Sequence, residues 1–182
     1  MKYKKIDTKL FIKNRKNFVN KLERKSIAFF NSNDIYPISA DSTLPFDQHR
    51  DIFYLSGIDQ EESLLVLFPD SKNIEYKEML FLRETNEYIT HWEGEKLTKE
   101  QAKNISGINN IFWLSEFEDI LKEVLSQADF VYINTNEHYR QNVQTQTRED
   151  RFIKRLKNIG GLKFKKRIQY YRNKGLLRIK SK

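Results

Sequence analysis

Apolar and polar positions alternate along this chain in a way that switches period several times. Over residues 8–22, Phe11, Phe18, Val19 and Leu22 fall on one face at helical spacing, and Asp7 or Thr8 stands where a cap belongs. Ser26 to Phe30, Ser63 to Phe68 and Met79 to Arg83 are short apolar runs of strand length. The loop between the last two, Pro69-Asp70-Ser71-Lys72-Asn73, is polar and turn-rich, which predicts an antiparallel pair. Thr98 with Gln101 forms a capping box for a short helix. Ile111 to Leu114 reads as a strand. Ser115 with Glu118 forms a second capping box, opening a helix striped by Phe117, Ile120, Leu121, Val124 and Leu125. Phe130 to Ile133 is a strand after a turn at Asp129. Thr147 to Lys157 is a helix stopped by Gly160-Gly161. Strands and helices alternate through the middle, so the fold class is α/β, a mixed β-sheet flanked by helices. No internal repeat or low-complexity tract is visible.

The densest local grammar lies in Leu44 to Phe68. Pro45 fixes an extended or turn entry, and Asp51 is placed to cap a helical turn carrying Phe53, Tyr54 and Leu55. Gly57 supplies a left-handed residue that ends the turn before the next strand.

Composition narrows the picture. A chain of 182 residues is one domain, or one domain with a tail. Hydrophobic content is 38% and charged content 32%, which leaves part of the surface for a partner. No apolar run reaches the roughly eighteen residues of a membrane span, and the Met-Lys-Tyr-Lys-Lys-Ile-Asp start lacks a signal-peptide core. There is no cysteine, which excludes disulfides and thiolate metal sites and suits a cytoplasmic location. The net charge of +8 is unevenly placed: residues 1–25 carry +8, residues 26–147 carry −12 and residues 148–182 carry +12. Basic ends on an acidic body suit docking within the protein or against a further domain better than they suit nucleic acid.

Catalytic chemistry is sparse. His49, His91 and His138 are far apart and form no His-Glu-x-x-His pattern. There is no glycine-rich phosphate loop and no nucleophile elbow. Asp59, Glu61 and Glu62 cluster before a strand and read as a solvated turn. Trp92, at a strand end followed by a turn in Ile89-Thr90-His91-Trp92-Glu93-Gly94, stands above the background, with a packed aromatic as the competing reading. Trp113 lies inside a strand pattern and is expected in the core. Residues 162–182 are strongly basic and carry few packing signals.

Several of these pieces, taken together, resemble the N-terminal domain of Xaa-Pro aminopeptidases (aminopeptidase P), a domain type shared with prolidase and creatinase. The matching residues are Pro45-Phe46, Gln48, Asp51 and Phe53-Tyr54-Leu55-Ser56-Gly57-Ile58-Asp59. In order along the chain follow Met79-Leu80-Phe81-Leu82-Arg83, Trp92-Glu93-Gly94, Phe112-Trp113-Leu114 and Leu177-Arg178-Ile179-Lys180-Ser181. Asp47 departs from the pattern, which usually has a basic residue there, and His49-Arg50 and His91 are also atypical.

The resemblance implies residues 1–161 as the N-terminal domain and residues 162–182 as a basic linker into a C-terminal catalytic domain absent from this chain. It implies no catalytic residue and no metal ligand within this chain. The absent domain would hold two divalent metal ions, expected to be manganese, on Asp, Asp, His, Glu and Glu side chains, and would activate a water for attack on the Xaa-Pro bond. That bond calls for a dedicated enzyme because proline lacks an N–H and constrains its neighbour. Trp92 would contact the substrate cleft, at the mouth of a neighbouring subunit's active site. The expected partners are the catalytic domain of the same polypeptide, further copies in a homo-oligomer and a peptide with proline in second position. Prolidase and aminopeptidase P are separated only mildly by the Trp92 motif.

Two other readings compete. A stand-alone binding module would use Lys163, Lys165, Lys166, Arg167, Arg172 and Lys174 for nucleic acid or an acidic partner, with Phe164, Tyr170 and Tyr171 stacking on bases. A scaffold relative would have lost its catalytic half.

Overall fold

The first amphipathic segment folds as its pattern dictates. In a computed structural model, which describes residues 4, 6–134, 146–165, 167–171 and 174–177, helix α1 (Thr8–Val19) begins at Asp7, whose side chain accepts the Lys9 N–H at 2.9 Å. The chain continues through β1 (Ser26–Asn31), a short hairpin of β2 (Pro37–Ser39) and β3 (Ser42–Thr43), α2 (Arg50–Ser56) and β4 (Leu64–Leu67). Then follow β5 (Glu78–Leu82), α3 (Glu87–Glu93), α4 (Lys99–Ser106), β6 (Asn110–Trp113), α5 (Phe117–Gln127), β7 (Phe130–Ile133), α6 (Arg148–Lys165) and β8 (Ile168–Tyr170).

The main sheet has strand order β6-β5-β4-β1-β7-β8. The β1–β4 and β4–β5 pairs are antiparallel, and the β1–β7, β5–β6 and β7–β8 pairs are parallel. This is the expected mixed sheet. Alternate residues of each strand point to opposite faces. Ile27, Phe29, Leu64, Val66, Met79, Phe81, Val131 and Ile133 meet α5 and α6. Ala28, Phe30, Leu65, Leu67, Leu80, Leu82 and Tyr132 meet α1, α2 and α4. Both faces are covered, so the strands read as unbroken apolar runs.

Several local details differ from the sequence reading. Asp51 does not cap α2: His49 does, its Nδ1 accepting the Asp51 N–H at 3.3 Å. The Asp51 carboxylate instead accepts the Tyr171 hydroxyl at 3.0 Å. Ser115 and Glu118 form no capping box. A 3₁₀ turn at Leu114–Glu116 leads into α5, with Glu116 accepting the Trp113 N–H at 2.7 Å and Ser115 bonded to Glu84. Trp113 is half-buried, with the Lys99 ammonium 4.7 Å from its ring centre. The Gly160-Gly161 stop interrupts rather than ends α6: Gly161 leaves the helical region and a helical stretch resumes to Lys165. The described part of residues 162–182 is not a linker. β8 pairs with β7, Tyr171 is fully buried against Phe18 and Phe30, and Leu176 is buried too. Residues 178–182, with most of the last matching motif, lie outside the described residues.

A buried cation organises one face. Phe11, Arg15 and Phe18 share the inner stripe of α1, and Arg15 is 1% exposed. Its guanidinium donates to the Leu55 carbonyl at 2.8 Å, the Ser106 carbonyl at 2.9 Å and Glu78 at 3.2 Å. Leu55 and Ser106 lie at the C-terminal ends of α2 and α4, the negative ends of two helix dipoles. Burial lowers the Arg15 pKa, and Glu78 opposes that shift.

The two helix ends are built alike, from Ser56-Gly57-Ile58 and Ser106-Gly107-Ile108. Each serine hydroxyl donates to the carbonyl one turn back at 2.7 Å and accepts the isoleucine N–H at 3.2 or 3.1 Å. Both glycines have φ of 70°, and a Cβ on Gly57 would sit 2.4 Å from Phe11. This short echo is too brief to register as a sequence repeat. Replacing Arg15 by Met leaves two buried carbonyls without a donor. Urea unfolding of Arg15→Met is expected to show a loss of about 2–4 kcal/mol with an unchanged m-value.

Candidate functional site

The aromatic singled out in the sequence lies on a helix, not at a strand end. Asn86 caps α3, its side chain accepting the Ile89 N–H at 2.9 Å, and Thr90 donates back to the Asn86 carbonyl at 3.0 Å. The cap, the acidic Glu87 in the first turn and Gly94 after the last were the signals for a helix here. No residue of α3 is buried. Trp92 is 70% exposed and Tyr88 is 72% exposed. They stand at i and i+4 on one face, with ring centres 6.4 Å apart. The His91 ring lies edge-on to Trp92 at 5.0 Å. Trp92 is therefore not a packed core residue.

Ion pairs hold this exposed helix in place. Arg83, just past β5, forks onto both carboxylate oxygens of Glu93 at 2.6 and 2.8 Å, and its Nε lies 3.2 Å from Glu62. Lys96 bonds Glu61 and also donates to the Glu93 carbonyl at 3.3 Å. Glu61 is 7% exposed. The Asp59, Glu61, Glu62 cluster is thus not a solvated turn, since two of its carboxylates anchor the segment that follows β5. Both side chains are only 10% exposed, so losing one partner would leave the other charge poorly solvated.

Arg83 also lines a cleft of about 930 Å³ at the carboxyl end of β1. Its other lining residues include Asp34, Tyr36, His49, Arg148 and Glu149. The chain leaves β1 towards α2 on one face of the sheet and leaves β7 towards α6 on the other. Such a divergence between parallel neighbours opens a crevice. Thr147 caps α6 reciprocally with Asp150, and a single guanidinium nitrogen of Arg151, Nη2, donates to both carboxylate oxygens of Asp34 at 2.7 Å. Glu149 is buried in the first turn. Burial pushes its carboxyl up to about 7, while the Asn31 side chain, donating at 3.1 Å, pulls the other way.

The remaining sequence candidates scatter. His49 caps α2, and its Nε2 lies 3.4 Å from the Asn134 amide. His91 sits on α3, and His138 lies outside the described residues. Asp47, the departure from the family pattern, pairs with Arg50 at 3.0 Å and accepts Asn33 through its carbonyl. Among the described residues, no three His, Asp or Glu side chains converge closely enough to hold a metal ion, and no helix is long and apolar enough to cross a membrane.

The base-stacking surface is not formed by the tyrosines. Tyr171 is buried, Tyr170 packs partly against the core, and Arg167 donates to the Asp129 and Leu125 carbonyls. Lys174 is tied to Glu23 at 2.7 Å. The side chains of Lys163, Phe164, Lys165, Lys166 and Arg172 lie outside the described residues. Sequence reasoning missed Arg15 and Glu149. Arg15 had a signal, because it occupies the same helical stripe as Phe11 and Phe18. Glu149, in the polar first turn of a helix, had none.

A family model described as the aminopeptidase P N-terminal domain matches residues 11–132. The chain is 28% identical over 122 residues to an Xaa-Pro aminopeptidase of Escherichia coli K12, covering 67% of this chain and 27% of that protein. It is 26% identical over 103 residues to human Xaa-Pro aminopeptidase 3, covering 56% of this chain and 20% of that one. Its backbone matches a Bacillus anthracis protein assigned as an aminopeptidase P with a TM-score of 0.76 at 23% identity, over 91% of this chain and 38% of the other. Pseudomonas aeruginosa aminopeptidase PepP gives 0.72 at 22% identity, over 85% and 32%. At those identities the structures share a fold. The chain spans only 20–27% of the length of these two curated relatives.

Removing Arg83 frees the end of α3 while leaving the sheet intact. In Arg83→Ala, the Trp92 contribution to fluorescence anisotropy is expected to fall. The urea midpoint should move by the equivalent of less than about 1 kcal/mol, because the pairs are partly exposed.

Proposed function

The chain belongs to the aminopeptidase P N-terminal domain family, and from that membership we propose that it is the non-catalytic N-terminal domain of an Xaa-Pro aminopeptidase. The parent enzyme would remove the residue preceding an N-terminal proline. This domain would supply subunit contacts and one wall of the active-site cleft, with the catalytic domain following in the same polypeptide.

The observation that carries this reading is the match over residues 11–132 to a domain whose curated relatives are far longer aminopeptidases. In this reading the two divalent ions, proposed to be manganese, and their carboxylate and imidazole ligands belong to the catalytic domain, and no step of hydrolysis is assigned to this chain.

The proposed contribution of Trp92 is what the family resemblance implies, and its exposure is compatible with it. An indole with 70% of its surface exposed has apolar area to offer a proline ring or a flanking side chain across an interface. Arg83 and Glu93 hold the helix that carries it. A homo-oligomer would bring that face to a neighbouring subunit's cleft, and a cytoplasmic location fits a cysteine-free chain.

Two measurements test the reading. The purified 182-residue chain, supplied with manganese and Xaa-Pro peptides, is expected to release no N-terminal residue. Metal-dependent release would overturn the non-catalytic assignment. In the parent enzyme, Trp92→Ala is expected to raise KM for an Xaa-Pro tripeptide roughly tenfold, the scale of one lost aromatic contact, with metal content unchanged. An unaltered KM would remove Trp92 from the cleft wall and leave the domain assignment standing.

A further inference from the structure

A smaller pocket opens beside the cleft, where α5 and α6 begin, and it has no part in the peptidase reading. It holds about 220 Å³ and lies next to the Asn31–Leu64 pair of the β1–β4 ladder. Its apolar side is made by Leu64, by Leu114 in the 3₁₀ turn, by Phe117 at the head of α5 and by Phe152 on α6. The two phenyl rings lie 6.0 Å apart. Its polar side is made by Asn31, Arg148, Arg151 and Arg155. The arginines stand at i, i+3 and i+7 of α6, a spacing that brings them to one helix face. No carboxylate is among the described residues that line the pocket.

The acids nearby are engaged elsewhere, and two of the three arginines are spent on them. Asp34 accepts twice from Arg151 Nη2, whose neighbour Nη1 donates to the Gln146 carbonyl at 2.9 Å. Glu118 takes Nε and Nη2 of Arg155, whose guanidinium lies 5.5 Å from the Phe117 ring centre. Glu149 accepts from Asn31 and lines the larger cleft, and Asp150 caps α6 with Thr147. Arg148 differs from its two neighbours. Its one ion pair among the described residues is with Asp34 at 3.6 Å, a carboxylate already hydrogen-bonded to Arg151, and it makes no hydrogen bond to any of them. With 23% of its side chain exposed, it is partly removed from water and keeps its donors unused. Such a group gains most from a charged acceptor brought to it.

We propose that this pocket binds a carboxylate carried on an apolar group, with Arg148 holding the carboxylate and Leu114, Phe117 and Phe152 lining the space for the apolar part. A guanidinium presents two parallel N–H groups that match the two oxygens of a carboxylate. Arg151 and Arg155, held by Asp34 and Glu118, add positive potential. Two phenyl rings and two leucines on the opposite side favour an aromatic or branched aliphatic body over a hydrated one such as inorganic phosphate. The volume is below the roughly 300 Å³ at which pockets for drug-sized molecules begin, so the apolar part is one ring or one side chain. The same chemistry is carried by the C-terminal residue of a peptide and by a free organic acid.

NMR titration of the 182-residue chain, followed through the arginine Nε–H signals and the amides of α5 and α6, tests this. N-acetylphenylalanine stands for a peptide C-terminus and phenylacetate for a free acid, and whichever binds more tightly identifies the source. Saturable shifts are expected at Arg148, Phe117 and Leu114. N-acetylphenylalaninamide, acetate and inorganic phosphate are each expected to bind at least about tenfold more weakly than the better acid, the loss of one charge-assisted or apolar contact. Arg148→Gln should weaken the better acid by about tenfold. Its urea midpoint should stay in place, because the one ion pair it loses is long and partly exposed. Equal affinity for the acid and its amide would overturn the proposal, as would acetate matching phenylacetate or phosphate exceeding both acids. Shifts that never saturate and spread over the other lysines and arginines would overturn it too. The ligand series on the wild-type chain decides the matter even if Arg148→Gln fails to fold.

Discussion

One guanidinium ties together the face of the molecule on which α1, α2 and α4 lie. Arg15 reaches across α1 to the last carbonyls of two other helices and to Glu78 at the edge of β5. Moving a full charge out of water is expensive, and a single carboxylate partner would not offset it. Two helix ends aimed at the same point add their partial negative charges, and both contributions are needed. The two helix ends it meets carry the same Ser-Gly-Ile ending. Each ending turns the chain sharply into the next segment, while Phe11 and Ile12 of α1 fill the space beside each glycine. A side chain at Gly57 would collide with Phe11 and push α1 away from the two carbonyls.

With that face fixed, the sheet delivers its functional parts at its margins. β5 ends at Leu82, and Arg83 immediately beyond it serves two masters. It pins Glu93 of α3 and it lines the cleft above β1. The exposed aromatic helix and the polar crevice are therefore neighbours joined through one side chain. The acidic residues before β4 complete the arrangement, because Glu61 and Glu62 hold Lys96 and Arg83 on either side of α3. A helix with no buried residue of its own keeps its position through these ion pairs and its Asn86 cap. It remains free to offer Tyr88 and Trp92 to another surface.

Much of the fold was legible because its signals are local. The apolar runs at 26–30, 63–68 and 130–133, the Thr98–Gln101 box and the α5 stripe depend on neighbours a few residues apart. Errors arose where a residue was claimed by a distant partner. Asp51 has the chemistry of a cap, but the Tyr171 hydroxyl takes its carboxylate, and His49 caps instead. The segment after Gly161 looked like a linker because it is basic. Its Ile168, Tyr170 and Tyr171 are nevertheless a strand and a core residue, paired with β7 and packed on Phe18 and Phe30. Trp92 was recognised as an exception, but its seven-residue helix was too short for periodicity to outweigh its β-branched and aromatic residues.

The sequence by itself determined the alternation of elements, the helix caps and breaks, and the family, because each is written in contiguous residues or in motifs kept in order. Only the tertiary structure decided which charges go inside. Arg15 and Glu149 have ordinary polar side chains whose burial depends on what α2, α4, β1 and Asp51 place around them. The cost of removing a charge from water, and the dipoles or protons that compensate for it, are properties of the assembled surroundings. No window along the chain contains both sides of that balance.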